Sequence, residues 1–360
     1  MKSYLTIFAF VCLLASCGKD PLPYNAFQNI TPVDQWLVPK SKVIDAGPGK
    51  DGIPALEQPE MRLATEIGYL DENDLIIGIN TEDGYRAYPH KILDWHEIIN
   101  DRVKSKHFSI NYCPLTGSAM AWDMFLAKEL STYGVSGFLY NSNLIPYDRR
   151  SGSLWSQMLM KCINGKKIGQ EPHMYPIIET TWSTWKKMYP ESKVVSLNTG
   201  FNRPYNVYPY IEPLTKADYR HDPFLIFPVD FIDDRLSRKE RILGVTINDE
   251  GKAYRFKSFE GPISVIHDQF QGETIVVAGS SEMNFMVVFE THLEDGNELM
   301  FQALNDEFPA IMSDAEGNKW DVFGKAIDGP RKGEQLVIPK TCMSYWFAWG
   351  TFYRDSEIYN

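Results

Sequence analysis

Short segments of this chain recur, in the same order, 164 to 166 residues further on. Ile76-Ile77-Gly78-Ile79-Asn80 returns as Ile242-Leu243-Gly244-Val245-Thr246 (242 − 76 = 166), and Arg86-Ala87-Tyr88 as Lys252-Ala253-Tyr254 (252 − 86 = 166). Asp148 and Trp155 return as Asp314 and Trp320, and Lys161–Gly169 as Lys325–Gly333 (325 − 161 = 164). Trp182, Trp185, Tyr189 and Ser192 return as Trp346, Trp349, Tyr353 and Ser356, again at 164. A period this long is that of a domain-sized unit copied once, unlike a solenoid whose short repeats lean on their neighbours. The echoes predict an α+β, β-rich protein of two pseudo-equivalent, tandem-duplicated domains packed together. The first repeat is expected over 68–198 and the second over 231–360, joined by a Tyr- and Pro-rich connector over 199–230.

Local patterns fill in the elements. Leu75–Asn80 alternates, Glu82-Asp83-Gly84 is a turn and Tyr85–Tyr88 returns, which predicts a hairpin. The apolar spacing of Ile92, Leu93, Trp95, Ile98 and Ile99 predicts a helix, and each Trp-x-x-Trp a short helix packed on a sheet. Strands are expected over His107–Tyr112, Ser118–Phe125 and Leu130–Val135.

The first 67 residues read differently. Lys2, the apolar run Leu5–Leu14 and Leu14-Ala15-Ser16-Cys17 match a bacterial lipoprotein signal, with Cys17 the expected site of lipidation. Residues 1–17 are thus expected to be processed, and 18–67 to form a tether and an N-terminal wrap. The expected location is the cell envelope, with the folded part outside the cytoplasm and held to a membrane by the lipid. A net charge of −11 without a basic patch argues against nucleic acid as a partner. Cys113, Cys162 and Cys342 would then be the cysteines of the folded part, an odd number in an oxidising compartment.

A duplicated fold supplies an internal control, because a feature found in one copy only points to function. Cys113, in Tyr112-Cys113-Pro114-Leu115-Thr116, has no Cys in the second copy, Cys162 faces Ala326, and the Asn141-Ser142-Asn143 segment has no clear echo. Three readings of Cys113 stay open. It is a small buried hydrophobe; or a soft metal ligand with His96 and Cys162, suited to copper or zinc; or a redox or nucleophilic thiol. His96 is expected on the polar side of its helix. Tyr112, Thr116, Asn141, Ser142, Asn143 and Asp148 complete the expected site, Asp148 most simply as a turn residue since Asp314 repeats it.

AYPHKILDWHEIIND, NYCPLTGSA, GVSGFLYNSNLIPYDRRSGSLWSQ, TTWSTW and the terminal YWFAWGTFY resemble a prokaryotic family catalogued as domain of unknown function 3179. The Cys segment of that family often reads Tyr-Cys-Pro-Leu-Cys-Gly, and here Thr116 stands in the place of the second Cys. The resemblance implies domain identity and carries no activity. The expectation is an envelope lipoprotein that binds a ligand or metal around Cys113, with an envelope protein as a further partner. The alternatives are a thiol- or metal-dependent oxidoreductase using Cys113, and a purely structural envelope lipoprotein.

Overall fold

The computed structural model describes residues 35–359, save 127, 212–214, 222 and 294. The expected signal, Cys17 and the first part of the tether lie outside the described residues. No helix among the described residues is long and apolar enough to cross a membrane.

The chain is β-rich, with strands grouped in several sheets and only three α-helices among the described residues. Two of the sheets are built alike. In the first, strands run in the order Ile177–Thr181, Leu75–Thr81, Gly84–Pro89, Lys193–Val195, Met61–Leu63. In the second the order is Lys340–Tyr345, Arg241–Ile247, Glu250–Arg255, Glu357–Ile358. In each, the first three strands pair antiparallel and the next joins in parallel.

The short helix that follows each sheet's outer strand explains the tryptophan echo. The helix α1 spans His90–His96, α2 spans Trp182–Met188 and α3 spans Trp346–Phe352. The Trp185 indole of α2 lies flat against Gly78, where any Cβ would come within 2.1 Å of the ring. Trp349 of α3 lies against Gly244 with the corresponding approach at 2.2 Å. Each indole N–H donates to a serine seven residues on, Ser192 at 2.8 Å and Ser356 at 2.7 Å. Gly, Trp and Ser are therefore one packing unit, used twice.

The boundary expected between the halves does not separate two cores. One core joins Trp185, Tyr189 and Val194 to Ile311, Trp320 and Val322. A second joins Met120, Trp122 and Trp155 to Ile242, Trp346 and Trp349. Each Trp-x-x-Trp helix thus lies on its own half's sheet and from there exchanges apolar contacts with the other half. Hydrogen bonds follow the same exchange: Thr180 Oγ1 donates to Met283 O at 2.8 Å and Tyr353 Oη to Met158 O at 2.9 Å.

The wrap adds short strands: Val43–Asp45 pairs with Tyr133–Tyr140, and Leu56–Glu57 runs parallel to Ile98–Val103. The helix expected through Ile99 stops sooner. Glu97 takes a left-handed backbone at φ 57°, which ends α1, and Ile98–Val103 is a strand pairing with Lys106–Cys113. Apolar spacing alone could not tell the two apart, because Ile98 and Ile99 are buried on either account.

Candidate functional site

Cys113 ends its strand and pairs with Ser118 across a tight turn. It is buried in the second core, with Sγ 3.8 Å from the Ser142 carbonyl. Burial first, and the nearby Glu97 carboxylate second, push the thiol up to about 11. Such a thiol stays protonated and makes a poor nucleophile. The polar residues around it are satisfied by one another. Asn143 Nδ2 reaches Thr116 Oγ1 at 2.9 Å and Gln157 Oε1 at 2.8 Å, and Ser118 Oγ donates to Gln157 Oε1 at 2.7 Å. Gln157 Nε2 donates to the Asn111 carbonyl at 2.9 Å, and Asn143 Oδ1 accepts from Met158 N–H at 3.2 Å. The network holds a hairpin together.

The remaining expected residues divide in the same way. Asn141 and Ser142 both sit at positive φ, 50° and 61°, and make the two-residue turn between Tyr140 and Asn143. Asp148 accepts from Ser151 N–H at 2.7 Å and from the Trp155 indole at 3.2 Å, and Asp314 accepts from the Trp320 indole at 2.8 Å. His96 is 0 % exposed rather than on a polar face. Its Nδ1–H donates to Pro54 O at 2.7 Å, so Nε2 accepts from Tyr205 Oη at 2.7 Å. Burial lowers the ring to about 4, which keeps it neutral.

The metal set of Cys113, His96 and Cys162 is corrected by these contacts. Both His96 nitrogens are occupied, and Cys162 Sγ turns to its own strand, to Asn164 O at 3.4 Å. Among the described residues no group of three or more His, Cys, Asp and Glu side chains converges to hold a metal. A separate chamber of about 310 Å³, lined by Met120, Met160, Met174, Met286, Met343 and Cys342, is mostly apolar.

One expected residue leads elsewhere. Tyr112 points away from Cys113 and lines a cleft of about 450 Å³ at the junction of the two halves. Helix α1 brings His90 and Asp94 to it, one turn apart on the same face. The strand Ile177–Thr181 brings Glu179, the strand Arg241–Ile247 brings Arg241, and Tyr345 closes the far wall. The Tyr-rich connector covers the cleft with Tyr205, Tyr208 and Arg220.

Charges in the cleft are arranged around Glu179. This buried carboxylate pairs with the Arg241 guanidinium from the other half, and His90 Nε2 stands 3.0 Å from Oε2 without the alignment of a directed hydrogen bond. Burial opposes its charge, but Arg241 and then His90 outweigh it and hold the carboxyl down at about 2. Arg241 also donates to Asn284 Oδ1 at 2.6 Å. Asp94 is the opposite case. It is 5 % exposed, its Oδ1 has no hydrogen-bond partner, and burial pushes it well above the usual carboxylate range against the pull of Arg220. Tyr208 Oη is likewise buried and unpartnered. Two carboxyls driven apart in one cleft are what a functional site looks like.

The two like-built sheets differ at these residues. Glu179 pairs with Ile77 in its sheet, and Met343 pairs with Leu243 at the matching register of the other (343 − 179 = 164). His90 faces Phe256 in the echo (256 − 90 = 166), and Arg241 faces Leu75 (241 − 75 = 166). Charged groups of the cleft are thus replaced by apolar ones on the other side.

No curated protein and no solved structure matches the chain. A family does, from the wrap through both tryptophan helices: over residues 50–356 the chain belongs to the family described as Protein of unknown function (DUF3179).

Proposed function

We propose that this protein binds a small polar organic molecule in the cleft between its halves, and that Cys113 is a core residue beneath that site. The observation that carries the reading is the pair of buried, unpartnered groups facing the cleft, Asp94 Oδ1 and Tyr208 Oη. Leaving such groups without a partner costs about 1–3 kcal/mol each. A fold keeps them where a ligand completes them. The two like-built sheets support descent by tandem duplication, with the first copy keeping the chemistry and the second serving as the wall. The lipobox at Cys17 supports anchoring in a bacterial envelope.

The test is native mass spectrometry of protein purified from its own organism, beside a thermal-shift screen of sugars, amino acids and organic acids. A retained or stabilising molecule that is lost in Tyr112→Ala, with the fold intact by circular dichroism, supports the reading. An empty protein that no compound stabilises overturns it. Anchoring is tested separately: Cys17→Ala should move the protein from the membrane to the soluble fraction.

A further inference from the structure

Every formal charge at the cleft can be followed to its partner. Lys91 Nζ sits 2.6 Å from Asp74, Arg241 pairs with Glu179, and Arg220 holds Asp218 through Nε, 2.9 and 3.1 Å from its two oxygens, and through Nη2, while stacking on Tyr208 at 4.0 Å. Lys239 Nζ donates to Tyr219 O at 2.6 Å. The Tyr205 hydroxyl is taken by His96. Besides His90 Nε2 and Glu179 Oε2, which meet only as an ion pair, the cleft atoms without a hydrogen bond to any described residue are Asp94 Oδ1, Tyr208 Oη and the hydroxyls of Tyr112 and Tyr345. Three of these are phenols, ready to donate.

Lys91, Arg220, Lys239 and Arg241 line the cleft against only Asp74, Glu179 and Asp94. In a chain of net charge −11 these cations gather here, each of the arginines and Lys91 beside a carboxylate partner. Asp94 is the group that fits worst as an anion: it is desolvated, and Asp218, Asp74 and Glu97 lie near enough to repel its charge. Kept neutral, its carboxyl is a hydrogen-bond donor like the phenols around it. Donors on several sides, with Arg220 beside them, and aromatic walls describe a receptor for a negatively charged oxygen on a small carbon skeleton.

Resting on the binding reading above, we infer that the ligand is a small organic carboxylate, and that Asp94 receives it through a hydrogen bond beside the hydroxyls of Tyr112 and Tyr208. The bond formed is O–H···O⁻, short and charge-assisted, and an ionised Asp94 would repel the same ligand. Arg220 and Arg241 supply the surrounding field while keeping their own partners.

The experiment is isothermal titration of the full chain with paired probes, each a carboxylate beside its own amide: glucuronate with glucuronamide, benzoate with benzamide, and lactate with lactamide. Asp94→Asn keeps a donor of the same shape, whereas Asp94→Leu removes it. Expected is binding of at least one carboxylate over its amide, nearly unchanged in Asp94→Asn and roughly ten- to a hundredfold weaker in Asp94→Leu. Tyr112→Phe, which touches no charge, should weaken the same probe several-fold and guards against a variant that fails to fold. Amides binding as well as carboxylates, or Asp94→Asn losing as much as Asp94→Leu, overturns the carboxylate inference and leaves a binding site for neutral molecules. No probe binding, together with an empty protein by native mass spectrometry, overturns both.

Discussion

Replacing Glu179 by Ala tests the cleft's electrostatics and the junction of the halves at once. The side chain is buried and carries the charge that neutralises Arg241, itself mostly enclosed. Removing one partner of a buried pair typically costs about 3–5 kcal/mol, because the other charge stays behind without its solvent. An independent route gives a similar figure. A carboxyl held at about 2 instead of 4.5 stabilises the fold by about 3 kcal/mol at neutral pH. Because the folded value is the lower one, that contribution is complete above the unfolded value and is lost as pH falls from 4.5 towards 2. Urea denaturation of wild type and Glu179→Ala at neutral pH and near pH 3 should therefore show a large gap that narrows in acid. The double variant Glu179→Met with Arg241→Leu copies the apolar residues found at the matching positions, Met343 and Leu75. Burying neither charge, it should regain most of the lost stability, with a coupling of at least about 2 kcal/mol. A loss under about 1 kcal/mol for Glu179→Ala, or a double variant equal to the sum of the singles, would refute the pair as the element joining the halves.

Gly78→Ala and Gly244→Ala each force a methyl into an indole face and should destabilise by about 1–3 kcal/mol or more, read as a lower urea midpoint with altered tryptophan fluorescence. Cys113, Cys162 and Cys342 are buried, and burial pushes their thiols up to about 11, 12 and 12, so in a chain starting after Cys17 an aromatic disulfide reagent should count no thiol before unfolding and three after. The unfolded chain releases these protons first, so stability should fall as pH rises above about 8.5, which denaturation midpoints across alkaline buffers will show. Asn143→Ala takes the acceptor from Met158 N–H and a donor from Thr116 and Gln157, and should cost about 1–3 kcal/mol in the same assay.

Much of the architecture could be read from the residues. The echoes at Gly78 and Gly244, and at Trp185 and Trp349, mark a contact that admits no larger residue, so the same letters return in each half. The end of α1 was hidden because Glu97 adopts a left-handed backbone without being Gly or Asn, and His96 was misplaced because its partners, Pro54 and Tyr205, are far away in sequence. Cys113, the rarer residue type, sits beside a hairpin locked by Asn143 and Gln157. Tyr112 alone among the expected residues lines the cleft. Asp94, Glu179, Arg241 and Tyr208 come from a helix, two strands of different sheets and the connector, and no spacing links them. At matching registers of the two like-built sheets, Glu179 stands against Met343.

The sharing of cores between the halves also bears on how this chain comes to be folded. Because α3 completes a core begun by Met120 and Trp155, that core stays open until residues near 350 have been synthesised. Domain-by-domain folding from the N-terminus, the usual course for long chains, is closed to it. A half released by cleavage in the connector would expose the side of its core that the other half covers, and the last helix, not the first, closes the second core.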